Sequence, residues 1–132
     1  MLNVDLLNIN PDTVCHLILR AREFHAKEEV SFPERTPESE YEYDWAQILA
    51  NHEDDLTYRE IKNAIHSLPY EKQLDLLALM YLGREDFDEW DEALKAAISN
   101  FPSDLTDYLL AHPFIAVYLE QALAKLGYSC DE

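Results

Sequence analysis

The sequence predicts an all-α fold: an irregular, orthogonal bundle of about six or seven helices around a central hydrophobic helix at 70–83, preceded by an extended arm. Three observations carry that reading. Eight of the nine residues in Leu74–Leu82 are apolar, Asp75 being the exception, so this segment is greasy nearly all round and belongs inside. The chain has only 2 Gly and few segments that alternate with period two, which argues against sheets. The breaks between apolar stripes are short and made by proline, which favours an irregular array over an up-and-down four-helix bundle. With 132 residues and no repeat of fixed period, the chain reads as one domain, 1–132.

Each element has its own signal. Leu2, Val4 and Leu6 alternate before Leu7 and Ile9 fall out of phase, so 1–9 reads as an extended arm that lies on the helices or pairs with another chain. Asn10-Pro11-Asp12 starts a helix to about Glu29, with Val14, Leu17, Ile18, Ala21 and Phe24 inward and His16, Arg20, Glu23 and Lys27 outward. The proline- and charge-rich stretch 31–43 reads as a mobile acidic loop. Asp44 caps a short helix through Asn51 that points Trp45, Ile48 and Leu49 inward. Thr57 and Glu60 fit a capping box ahead of the stripe Tyr58, Ile61, Ala64, Ile65 and Leu68. Pro69 opens the central helix, and Gly83 is expected to terminate it. Asp86 is expected to open the next helix, with Phe87, Trp90, Leu94, Ala97, Ile98 and Phe101 on one face. A short helix through Ala111 follows Pro102. The last helix starts at Pro113, has Phe114, Ile115, Tyr118, Leu119, Ala122, Leu123 and Leu126 as its apolar residues, and stops at Gly127.

Charge narrows the partners. The net charge is −17, and it is concentrated: 28–60 carries eleven acids against Arg35 and Arg59, and 85–132 eleven acids against Lys95 and Lys125. The stretches assigned to the core are close to neutral. An exterior of this sign repels phosphates, so direct binding to nucleic acid or an anionic membrane is not expected, whereas a basic protein partner is. The longest apolar run is too short for a span of about 20 residues, and the first residues lack the shape of a signal peptide, so a soluble cytoplasmic protein is expected. Cys15 and Cys130 form no close-spaced motif; a disulfide between them is not expected, and Cys15 reads as a small core residue.

Three segments together resemble a bacterial family known as domain of unknown function 3775. They are 7–11 (Leu-Asn-Ile-Asn-Pro) with 21–24 (Ala-Arg-Glu-Phe); 73–79 (Gln-Leu-Asp-Leu-Leu-Ala-Leu) with 82–84 (Leu-Gly-Arg); and 89–91 (Glu-Trp-Asp) with 118–120 (Tyr-Leu-Glu). The second is the most specific. The resemblance implies an intracellular, single-domain helical protein and assigns no activity, cofactor or catalytic residue.

The candidate chemistry is sparse. Asp75, a carboxylate on a nearly all-apolar helix, requires a partner or a proton, and Arg22 and Arg84 are the expected partners. Either they hold two helices in register, or they floor a ligand pocket. Six acids crowd Glu85–Glu92, but Trp90 occupies the fifth position of any calcium loop and no glycine the sixth, so they read as a solvated helix start. His16, His25, His52, His66 and His112 show no zinc spacing, and no metal site is expected. Nucleophile, phosphate-loop and dinucleotide motifs are missing, so neither a catalytic residue nor a cofactor is assigned. Tyr41 and Tyr43 in the acidic loop, with Trp90, are the aromatic candidates for partner contact. The function expected first is a non-enzymatic interaction or regulatory module that docks a basic partner. A small-ligand binder or enzyme with a pocket near Asp75, Arg22 and Arg84 is the alternative, and a homodimer through the N-terminal arm is a further expectation.

Overall fold

The computed structural model describes residues 7–27 and 55–130. Most of the expected arm, the acidic loop with Tyr41 and Tyr43, and the short helix at Asp44 lie outside the described residues. Among the described residues there are six helices and no strand: α1 Pro11–Lys27, α2 Leu56–His66, α3 Tyr70–Gly83, α4 Trp90–Ser99, α5 Leu105–Leu110 and α6 Ile115–Lys125.

The central helix is what its composition demands. Ten consecutive residues of α3, Leu74 to Gly83, are buried, and Leu76, Leu77, Ala78, Leu79 and Met80 are fully so. Each Leu buried in this way contributes roughly 1.5–3 kcal/mol of transfer free energy. α3 packs against α4 and α6, α1 packs on α6 and α2, and α2 packs on α5. The inward stripe expected of α1, from Val14 to Phe24, is buried throughout, and Tyr58, Ile61 and Ile65 are the buried face of α2.

Side chains start three of the helices. The Asp12 N–H donates to Asn10 Oδ1 at 2.8 Å, the Tyr58 N–H to Asp55 Oδ1 at 2.9 Å, and the Asp107 N–H to Asp104 Oδ1 at 3.1 Å. Each such cap is worth about 1 kcal/mol. The second corrects the capping-box expectation: Asp55 caps α2, and Thr57 lies buried inside its first turn.

The end of α3 departs furthest from the sequence reading. Gly83 is not its left-handed cap. The chain stays helical through Gly83, and Glu85 takes the left-handed position at φ 70°. The Asp86 N–H then reaches back to the Tyr81 carbonyl (3.0 Å) and the Glu85 N–H to the Leu82 carbonyl (3.1 Å), the two bonds of a Schellman end. Gly83 is needed for another reason: a Cβ there would lie 1.7 Å from the Tyr118 carbonyl oxygen of α6. Because 84–86 are used to finish α3, the next helix cannot open at Asp86, and α4 begins at Trp90. Its inward face is Trp90, Ala93 and Ala97, while Ile98, expected inside, is 55% exposed. α6 ends as expected, with Gly127 left-handed at φ 93° and the Tyr128 N–H bonded to the Leu123 carbonyl at 2.8 Å.

The cysteines overturn an expectation outright. Cys15 and Cys130 are joined in a disulfide across 115 residues of sequence, with Cα atoms 5.5 Å apart. No local spacing announces it, because only the packing of α1 on α6 brings the two cysteines together.

Candidate functional site

Two groups of polar side chains lie along α3, one at Asp75 and one around Arg84. Near its first buried turn, Asp75 has no exposed surface, and its Oδ2 accepts the backbone N–H groups of Asn8 and Ile9, the latter at 3.0 Å. The carboxylate thus serves as an acceptor for the chain just ahead of α1, and Ile9 is buried beside it. Burial pushes the Asp75 carboxyl above its ordinary range; the Ile9 and Asn8 N–H groups and the Asn8 side chain oppose the shift, and Glu71 adds to it.

The arginines expected beside Asp75 are engaged elsewhere. The guanidinium of Arg22 meets Glu120 of α6 at 2.6 Å, with both side chains about half exposed. Arg84 donates from Nε (3.0 Å) and Nη2 (2.8 Å) to a single oxygen of Asp86, across the left-handed Glu85. Asp75, Arg22 and Arg84 therefore do not form one ionic cluster. The sequence reading looks for a charge to neutralise Asp75 and passes over backbone donors, which have no side-chain signature.

Around Arg84 lies a second polar group that sequence reasoning misses. Lys125 Nζ donates to the Leu82 carbonyl at 3.1 Å and stands 3.5 Å from Glu85 Oε2, tying α6 to the end of α3. Tyr81, hydrogen-bonded to Tyr108, is pushed up to about 12, chiefly by burial, and stacks edge-on to Phe87 at 5.9 Å. His112 is fully buried; its Nδ1–H donates to the Tyr108 carbonyl at 2.8 Å, and burial lowers its pKa to about 4. The ring is accordingly neutral at ordinary pH. It precedes Pro113 and carries no periodicity that marks it as buried, so nothing in the sequence singles it out.

A separate clamp joins α2 to α5. The Tyr58 hydroxyl donates to Asp107 at 2.5 Å, and Lys62 Nζ donates to Asp104 at 3.0 Å and to the Tyr58 hydroxyl at 3.4 Å. Burial raises Tyr58 to about 12, with the Asp107 carboxylate adding to the shift. Asp104 falls below its usual range because the Asp107 N–H and Lys62 outweigh its own desolvation. The clamp's polar atoms are paired with one another, and Lys62 and Asp104 remain about one-third exposed.

Residues 58–128 match the family model described as "Protein of unknown function (DUF3775)". The chain belongs to that family. The DUF3775 segment takes in nearly all of α2 and the whole of α3 to α6, and with them Asp75, Gly83, Arg84, Asp86, Tyr108, His112 and Tyr118. Leu7–Pro11 and α1, which carry part of the resemblance, lie outside it, as do both cysteines. No curated protein and no solved structure matches the chain significantly.

The surface supplies the remaining candidates. Glu85, Asp86, Asp88, Glu89, Asp91 and Glu92 are all exposed, on the turn that follows α3 and the first turn of α4. Trp90, in their midst, is only 7% exposed and belongs to the core. Phe114 and Val117, at the start of α6, are 48% and 41% exposed. They border Tyr118, whose carbonyl abuts Gly83, so exposed apolar side chains lie on the element next to the acidic turn. A surface groove of about 270 Å³ runs beside the disulfide, lined by Cys15, Leu19, Arg22, Glu120 and Cys130 among others. No helix among the described residues is long and apolar enough to cross a membrane.

Proposed function

We propose that this DUF3775 protein is a non-enzymatic interaction module that docks a basic protein surface through the turn following α3. The observation that supports it best is the exposed acidic run Glu85–Glu92, on a turn tied by Arg84 to Asp86 and by Lys125 to the Leu82 carbonyl, with Phe114 and Val117 exposed on α6, the helix whose backbone meets Gly83. Interfaces combine an apolar anchor with a charged rim in this way. The cations favour the same reading: Arg20, Arg22, Lys62, Arg84 and Lys125, half of the ten lysines and arginines, are each paired with a carboxylate of the chain, which leaves the outward field negative. Asp75, bonded to backbone N–H groups, acts as an internal fastening in this account.

The test is capture of a partner from the native cell, followed by titration of the purified partner. Its affinity should fall by about tenfold between low and high ionic strength, since exposed charges separated by more than a Debye length are screened. Neutralising Asp88→Asn, Glu89→Gln and Glu92→Gln together should remove most of that salt dependence. A partner bound equally well by the neutralised protein, or at every salt concentration, would sink the electrostatic docking. We assign the protein to the cytoplasm within this reading. A lasting disulfide is uncommon there, so the redox state of Cys15 and Cys130 in intact cells, trapped by rapid alkylation, tests that placement directly.

A further inference from the structure

We propose that the groove beside the Cys15–Cys130 bond is a thiol–disulfide exchange site, at which a small neutral or cationic thiol attacks the Cys130 sulfur and Cys15 leaves. Three observations converge on it. The two sulfurs differ in access: Cys130 is exposed, three residues past the left-handed Gly127, whereas Cys15 is half-buried on α1. The bond forms part of the wall of an open groove of about 270 Å³, which gives a small thiol room to approach. The bond sits at the edge of the core: the buried apolar cluster runs from Ile9 to Leu126 with Cys15 packed against it and Cys130 outside it, and the Tyr128 N–H is fastened separately to the Leu123 carbonyl.

The leaving side is prepared as well. Cys15 is the fifth residue of α1, near the positive end of that helix, and Arg22 lines the same groove. The helix end favours a thiolate there, while Arg22 is paired with Glu120, and Asp12 and Glu120 line the same groove. In the exchange, the incoming thiolate, its proton already lost to solvent, forms a new sulfur–sulfur bond with Cys130 while the electron pair of the old bond departs with Cys15. When the attacker is a dithiol, its second thiolate attacks its own first sulfur, closes a ring disulfide and expels Cys130 as a thiolate. Each protein thiolate then takes up a proton from water. The protein is reduced by two electrons, and the dithiol is oxidised by two. With a net charge of −17, the protein field admits cationic thiols and repels anionic ones.

The experiment treats the folded, oxidised chain with cysteamine, traps with iodoacetamide and maps the adducts by peptide mass. The expected result is a cysteamine adduct on Cys130 with carbamidomethyl on Cys15, favoured over the reverse pattern by about tenfold or more, as exposure and the leaving group dictate. Cysteamine should outrun the anionic mercaptoethanesulfonate by about tenfold at low ionic strength, the gap narrowing as salt is added. Helical circular dichroism should persist after full reduction by dithiothreitol. An adduct mainly on Cys15, exchange that proceeds only in denaturant, or loss of helicity on reduction would each overturn the proposal. The Cys130→Ser variant gives an independent reading: its Cys15 thiol should react with iodoacetamide in native buffer, and a Cys15 that reacts only after unfolding would count against the open groove.

Discussion

The two ends of the central helix are held by different physics. At Asp75 the fastening is polar: a buried carboxylate accepts two backbone N–H groups of a segment more than sixty residues away in sequence. At Gly83–Asp86 it is steric and local: the backbone of α6 comes so close that no side-chain atom fits, and the chain leaves through a left-handed residue. A polar fastening can be tuned by a proton or mimicked by an isostere. A steric one admits no intermediate state. The Asp75 fastening should therefore respond to pH and to conservative substitution, and the Gly83 contact itself only to volume.

Gly83→Ala should have the largest effect. The added Cβ would meet the Tyr118 carbonyl at 1.7 Å. The main chain of α6 must then shift, at a cost of about 3 kcal/mol or more, the upper end for overpacking. Chemical denaturation would show it as a lower midpoint; an unchanged midpoint would mean the two helices do not touch there.

Acid should weaken the same end nearly as much. His112 falls from 6.5 to about 4 on folding, so the unfolded chain binds the extra proton. Its stabilising contribution is complete above pH 6.5 and lost as the pH drops through about 4. The loss is about 3 kcal/mol at 1.36 kcal/mol per pKa unit. Burial moves His25 in the same direction. Urea midpoints measured across this window should slope downward towards acid, and His112→Asn, which retains a donor for the Tyr108 carbonyl, should flatten the slope.

Asp75→Ala should cost about 2 kcal/mol, because it strands the Asn8 and Ile9 N–H groups. Asp75→Asn keeps an acceptor and should lose less than half of that. The sign of the pH response is opposite to that of the histidine: a carboxyl raised by folding stabilises fully below its ordinary pKa, and that contribution fades as the pH rises through the raised value. The asparagine variant should lack that fading. If alanine and asparagine are equally harmful, the hydrogen bonds are not what Asp75 contributes.

Glu85→Gly should show the smallest change, a gain of about 0.5–1 kcal/mol from relieving the left-handed backbone. The variant also removes the carboxylate that faces Lys125, but that side chain is 69% exposed and the ion pair is worth little in water. Thermal unfolding would register the gain as a rise of a few degrees.

What the sequence reveals, and what it hides, follows the range of the forces. Periodicity places the inward residues of α1, α2 and α3, because a helix repeats its environment every three to four residues. The acids from Asp86 onward put the start of α4 four residues too early, since those that resemble a helix start are already used by the end of the preceding helix. Gly83 draws notice for the wrong reason: a missing Cβ serves a turn and a close crossing equally, and only the neighbouring helix distinguishes them. Asp75 stands out, but its partners are main-chain groups present at every position. The cysteine pairing spans nearly the whole chain and has no local pattern to betray it.

That pairing also turns residues 15 to 130 into a covalent ring. A protease that cuts one peptide bond anywhere within it yields fragments that remain shackled, migrating as a single species on a gel until a reductant parts them. A backbone nick, which would ordinarily release half a molecule, becomes an injury the protein can survive intact in mass for as long as its two sulfurs stay oxidised.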